Sequence, residues 1–246
     1  MMSFRSLLAA AARTVRTAAI DSTPLWSRWF FLDLMGRSGA IVDHGAGRLR
    51  GVVHAPKGAD NRVVFGRGSR FRGTVAIDGS RNVVEFGEDC DFRGKVYVHG
   101  DGQTVRFGDR STAGDLYILC AEGCDVVVGR DCMISRQVDI RTTDGHSVID
   151  RETGRRVNLA RSITIGDHVW IGARAIVSKG SVVPDDCIVG AMSLVNRRFE
   201  EQGTVIAGVP ARVVERGITW HRQRRAGFAP KDLWSRPGES DRPERP

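Results

Sequence analysis

The feature that most constrains this chain is a repeat. Val64-Phe65-Gly66, Glu85-Phe86-Gly87, Arg106-Phe107-Gly108 and Val127-Val128-Gly129 place their glycines at 66, 87, 108 and 129, three successive steps of 21. Within each step apolar residues recur every six positions: Phe65, Phe71, Ile77; Phe86, Phe92, Val98; Phe107, Ala113, Leu119; Val128, Ile134, Ile140. Four residues after the first two members of each triplet stands an inward-packing partner: Ser69 and Val75, Cys90 and Val96, Ser111 and Tyr117, Cys132 and Val138. Beyond residue 162 the period is strictly six, through Ile165, Ile171, Val177, Val183, Val189 and Val195. Val169, Ala175, Ser181, Cys187 and Ser193 follow at the same offset of four.

A period of six is neither the 3.6 of a helix nor the 2 of a simple strand. It fits a short flat strand and a tight corner, repeated, so that three sides close one triangular coil of 18 residues. The 21-residue coils carry three extra residues at one vertex, where DGSRN, HGDGQT and CAEGCD supply the Gly, Asp and Asn that bends need. Such coils bury their aliphatic stacks only against each other, roughly 4.8 Å apart. Phe65, Phe86 and Phe107 should form one ladder, and Phe71 and Phe92 another.

The open ends of such a stack need covers. Residues 1–60 are expected to hold an N-terminal helical cap. Within it, residues 4–20 read as an amphipathic, Arg-bearing helix and 26–36 (WSRWFFLDLMG) as a second apolar patch. A weak contact of this helix with a membrane surface is the other reading. Residues 61–214 form the solenoid, and 215–246 a C-terminal extension. Its Pro-, Gly- and charge-rich tail from Gly227 is expected to be partly disordered.

Lys and Arg number 37 against 29 Asp and Glu, a formal charge of +8 that fits an anionic ligand or surface without naming one. No basic stripe is interleaved with exposed aromatics, so no nucleic acid is expected as partner. Five cysteines and no secretory signal point to a reducing, cytoplasmic compartment. Cys120 and Cys124 lie four apart with no matching second pair, so no metal site is assigned. No apolar run reaches the 18 residues of a membrane span.

From Ile140 to Ile165 is 25 residues, where a coil would take 18 or 21, so a loop, residues 141–162, leaves the solenoid and carries Asp144-Gly145-His146 near its start. On the residues alone His146 reads as a solvated loop histidine, flanked by Asp144 and Asp150. His168 and Trp170 sit in outward positions that could line a cleft.

The stretch ITIGDHVWIGARAIVSKGSVVPDDCIVGAMSLVNRRF followed by IAGVPARVV resembles the hexapeptide-repeat acyltransferases. RTTDGHSVIDRETGRRVN, residues 141–158, is similar to the active-site loop of their xenobiotic and polysaccharide O-acetyltransferase branch. The resemblance covers about residues 60–220 and implies an all-β, left-handed parallel β-helix, a homotrimer, and acetyl-CoA as co-substrate with no tightly bound cofactor. It implies an O-acetyl transfer to a sugar or glycan acceptor. His146 would be the general base, with Asp144 or Asp150 able to orient its ring by accepting from one ring N–H; a positioned histidine suits that task because its ordinary pKa lies near 6.5. His168 and Trp170 would line the acceptor side. Ala173 and Ala191 would flank the pantetheine arm. Asn196 and Arg197 stand where a Thr-Lys pair is frequent, and with Arg212 are the candidates for CoA. An amino-sugar or xenobiotic acceptor stays open. A zinc hydratase would need three converging imidazoles, and a non-catalytic solenoid would leave the loop and AGVPAR without a task.

Overall fold

The computed structural model describes residues 40–43 and 48–234. The expected N-terminal helices fall outside these residues. What is described is a parallel β-solenoid with no α-helix among the described residues. One sheet, in the order β1(Ala40–Asp43), β3(Asn61–Phe65), β5(Val83–Phe86), β7(Thr104–Phe107), β9(Val126–Val128), β11(Ile163–Ile165) and β14(Val182–Val183), forms the first face. The long strands β2(Arg48–Lys57), β4(Arg70–Asp78), β6(Asp91–His99), β8(Thr112–Ala121) and β10(Met133–Arg141) stack in parallel and bend around a corner to supply the second and third faces. Beyond β10 the two faces separate into short strands. β12(Trp170–Ile171) and β15(Ile188–Val189) continue the second, and β13(Ile176–Ser178) and β16(Leu194–Val195) the third.

In β4 and β6 the bend requires glycine, whereas β10 turns at Gln137 with φ of +57°. Gly73 and Gly94 adopt φ of +154° and +153°. A Cβ on Gly73 would lie 1.7 Å from the Gly94 carbonyl oxygen, and one on Gly94 1.9 Å from that of Leu116. Coils approach at that corner more closely than any side chain allows.

The core is the set of predicted ladders. Phe65 and Phe86 stack with centroids 5.0 Å apart and planes within 1°, and Phe71 and Phe92 stack at 5.5 Å. All are buried along with Phe107, each burial worth about 1.5–3 kcal/mol. Corner residues in the +4 register are small because they also serve the backbone. Ser69 Oγ accepts the Cys90 N–H at 3.0 Å and donates to the Gly87 carbonyl at 2.5 Å, and Ser111 does the same for Cys132 and Gly129.

Two features differ from the sequence reading. The solenoid starts before residue 61, since β1 and β2 already pair in its sheets. The third face slips by one residue in β8: Val96 pairs with Ile118 and Val98 with Cys120, so Leu116, Ile118 and Cys120 turn inward where Tyr117 and Leu119 were expected. Residues 116–120 are apolar in both alternating sets, so period alone could not choose. The solenoid unit closes on a hairpin. β17(Thr204–Gly208) and β18(Ala211–Arg216) form an antiparallel hairpin over the last coil, with a cis Val209–Pro210 bond at its turn. Residues 218–234 then run back along one vertex, and the remainder of the extension, 235–246, lies outside the described residues.

Candidate active site

The loop leaves the solenoid at the vertex between the third and first faces, where the preceding coils each carry their extra residues. A coil step of 37 residues, Val128 to Ile165, measures the insertion. Its neck is closed by the buried Thr142, whose Oγ1 accepts the Ala121 N–H at 2.8 Å and whose carbonyl accepts the Arg161 N–H at 3.0 Å. Beyond the neck the chain forms a small hairpin, with Val157 N–H donating to Val148 O and an antiparallel bridge between Ile149 and Arg156. Asp150 is used inside it, accepting from Thr153 N–H at 2.7 Å and Thr153 Oγ1 at 2.6 Å.

Asn158 organises the loop. Its Oδ1 accepts from Val148 N–H at 2.7 Å and Arg156 Nε at 3.1 Å. Its Nδ2 donates to Asp144 Oδ2 at 2.7 Å and to the His146 carbonyl at 2.8 Å. Lys179, from the next coil at the same vertex, donates to Asp144 Oδ2 at 2.5 Å and to the Asn158 carbonyl at 3.0 Å. Glu122 completes the frame, accepting from Arg156 at 2.6 and 3.0 Å and from Thr143 Oγ1 at 2.5 Å. The Lys179 ammonium, then Asn158, hold the Asp144 carboxyl below its ordinary range; Arg156, then Thr143, do so for Glu122.

His146 is thus fixed through its backbone while its side chain is exposed, with no hydrogen bond to its ring among the described residues. No hydrogen bond joins Asp144 to that ring; its Oδ2 accepts instead from Lys179 and Asn158. Lys179, Asn158, Glu122 and Arg156 went unassigned in the sequence. Asn158 and Arg156 lie inside the recognised loop, but the partners of both span long separations that spacing does not reveal.

The remaining candidates lie at other vertices. Ala173 and Ala191 occupy the corner between the second and third faces, where a Cβ on Gly172 would meet Ala191 N at 2.5 Å. Asn196 and Arg197 are exposed at the loop's own vertex, two coils on, with the Arg197 carbonyl accepting Val182 N–H. Arg212 is exposed beside the hairpin turn and donates to the Pro210 and Ala211 carbonyls.

His168 is buried at the vertex between the first and second faces, not open to a cleft. Its ring is sandwiched between Trp220 at 4.2 Å and Trp234 at 4.9 Å, and its Nδ1 bonds Asp186 Oδ1 at 2.8 Å. Trp220 Nε1 donates to the His168 carbonyl, and Arg222 reaches Thr112 Oγ1 and the carbonyls of Arg110, Asp131 and Cys132. The returning segment is therefore stapled to several coils. Trp170, half-exposed on the second face, lies 6.2 Å from Trp220. The structure brings together Asp144, His146 and Lys179 but does not bring His146 together with His168, Trp170 or the alanine corner within one protomer.

Burial pushes the Cys90 thiol up to about 11 and those of Cys120 and Cys132 to about 12, which leaves them as packing residues rather than nucleophiles. Among the described residues no group of three His, Cys, Asp or Glu could hold a metal ion, and no helix is long and apolar enough to cross a membrane.

No protein-family model matches the chain. It is 32% identical over 123 residues to a polysialic acid O-acetyltransferase of Escherichia coli O1:K1 / APEC, a match spanning 50% of this chain and 40% of that protein. Among solved structures it is similar to the polySia-specific acetyltransferase NeuO, with a TM-score of 0.59 and 28% identity over 77% of this chain and 92% of that one. The polysialic acid O-acetyltransferase OatWY shares the fold, with a TM-score of 0.73 at 24% identity over 79% of this chain and 93% of that one. These relatives are O-acetyltransferases, in agreement with the resemblance carried by HVWIG, DGHS and AGVPAR.

Proposed function

We propose that this chain is an O-acetyltransferase that moves the acetyl group of acetyl-CoA to a hydroxyl of a glycan, with His146 as general base. The observation that carries the reading is the loop itself. Asn158 and Lys179 fix the backbone at His146 and leave its imidazole in solvent, where a hydroxyl can reach it. The relatives' O-acetyl transfer to a glycan supports the acceptor class. In the reaction the imidazole takes the acceptor proton as the sugar oxygen attacks the thioester carbonyl. The tetrahedral oxyanion then collapses, the C–S bond breaks, and the imidazolium returns its proton to the departing CoA thiolate. Acetyl-CoA is consumed, so it is a substrate and not a resident cofactor.

The acceptor histidine and the CoA candidates at Ala173 and Ala191 lie at different vertices of one protomer, so a complete site requires a second copy. A homotrimer of left-handed coils meets that need. It would also cover Val148, Ile149, Val157 and Leu159, apolar loop side chains that are more than half exposed in the single chain. Asp144 acts as a loop anchor in this reading.

The test is thiol release from acetyl-CoA with polysialic acid as the acceptor probe. His146→Ala should lower turnover by about 10²–10⁴ with an unchanged circular dichroism spectrum. Turnover close to wild type would remove His146 from the chemistry, and no release with any glycan would remove the reading. Light scattering should report a trimer, and an active monomer would overturn the shared site.

A further inference from the structure

We propose that the edge between the second and third faces, along β2, β4 and β6, is a docking ridge for an acidic polysaccharide, the acceptor of the transfer described above. It rests on that reading for the identity of the polymer but not for the existence of the ridge. Arg50 pairs in register with Arg72, and Arg72 with Arg93, one directly over the next on three successive coils. All three side chains are exposed, and none forms an ion pair among the described residues. Lys95 stands in the next outward row of β6.

Elsewhere this solenoid does the opposite. Outward arginines face a carboxylate on the neighbouring coil: Arg70 with Asp91 at 2.7 Å, Arg110 with Asp131 at 2.7 Å, Arg130 with Asp167 at 2.7 Å, Arg106 with Glu85 at 3.3 Å and Arg67 with Glu88 at 3.4 Å. Like charges stacked on adjacent strands repel, so the ladder works against folding. Of the carboxylates near this corner, Asp91 is taken by Arg70, and Asp115 on the following coil stands in register with Arg136. Three guanidinium groups at intervals of roughly 4.8 Å, held on a rigid sheet, complement a polymer that carries acidic groups repeatedly along its length. A single small anion would need only one rung. Beyond Arg93 the same corner carries Asp115, in register with Arg136, and then Arg174, whose N–H donates to the Arg136 carbonyl, so the stacked arginines end at β6.

The experiment compares the full chain with Arg50→Ala/Arg72→Ala/Arg93→Ala. Fluorescence anisotropy with labelled polysialic acid should show salt-sensitive binding that weakens on the order of 10–100-fold in the variant, while neutral dextran binds neither. The KM for polysialic acid should rise by a similar factor with kcat and the KM for acetyl-CoA unchanged. At low salt the variant should melt at or above the wild-type temperature. Equal affinity in the two proteins, or melting below wild type, would overturn the ridge. Tighter binding of a single-stranded oligonucleotide or of phosphatidylserine vesicles than of polysialic acid would overturn the glycan as its occupant. Ridge-dependent binding without acetyl transfer would sink the enzymatic reading alone, since the anisotropy arm needs no turnover.

Discussion

The coils before the loop and the coils after it solve the same packing problem differently. In the first group, strands of nine or ten residues run round a glycine corner, and phenylalanine ladders fill the interior. In the second, strands shrink to two or three residues, and the interior is Ile165, Ile171, Val177, Val183, Val189 and Val195, with Ala, Ser and Cys at the corners. Fewer and smaller core atoms per coil leave more of each turn at a vertex, where backbone and side chains face solvent. Nearly all the candidate site residues lie in the loop or in this second group. The long-strand group presents a flat, regular surface, suited to holding something extended.

The largest effect expected on that contrast comes from the ladder. Phe86 stacks on Phe65 and touches Phe92 and Phe107, so Phe86→Ala should destabilise by about 3–5 kcal/mol in chemical denaturation. Below its melting range this variant should keep wild-type turnover, since the loop is anchored on later coils and on Glu122. A loss of turnover in the folded variant would mean that the two regions are not separable.

Next comes Lys179→Met, which removes the bridge between the loop and the following coil. Limited proteolysis should cut within residues 141–162 faster, and turnover should fall severalfold, while the melting temperature changes little because the pair is partly exposed. An unchanged cleavage rate would assign the loop's order to Asn158 alone.

Acid should loosen the same frame. Asp144 and Glu122 both have folded-state pKa values held below the ordinary carboxylate range. Their contribution is therefore complete above the unfolded-state values and is lost as pH falls through the lowered folded-state ones. Hydrogen exchange in the loop should accelerate there while the ladders of the long-strand coils stay protected. Simultaneous loss in both regions would argue against a separately anchored loop.

The smallest effect is reserved for Arg197→Ala, which should raise the KM for acetyl-CoA a few-fold and leave turnover nearly unchanged, because a phosphate contact is shared by ground and transition states. Unaltered kinetics would return Arg197 to the surface.

The sequence by itself determined the coil. Its ladders follow from a six-residue period because each strand repeats the environment of the strand before it, so local order and stacking carry the same information. It also located the loop, as the one place where the count between Ile140 and Ile165 exceeds a coil. Only the tertiary structure decided which groups meet across coils. Asp144 turns to Lys179 and away from His146 because an ammonium 35 residues on is brought alongside its vertex. His168 is enclosed because Trp220, and Trp234 from the Pro-, Gly- and charge-rich tail, return to stack on its ring. The slip at Leu116 was undecidable from period, since both alternating sets are apolar, and is settled by its place in the stack between Gly94 and Val138. Repetition is written into neighbouring residues; partnership between vertices depends on where the stacked chain places distant ones.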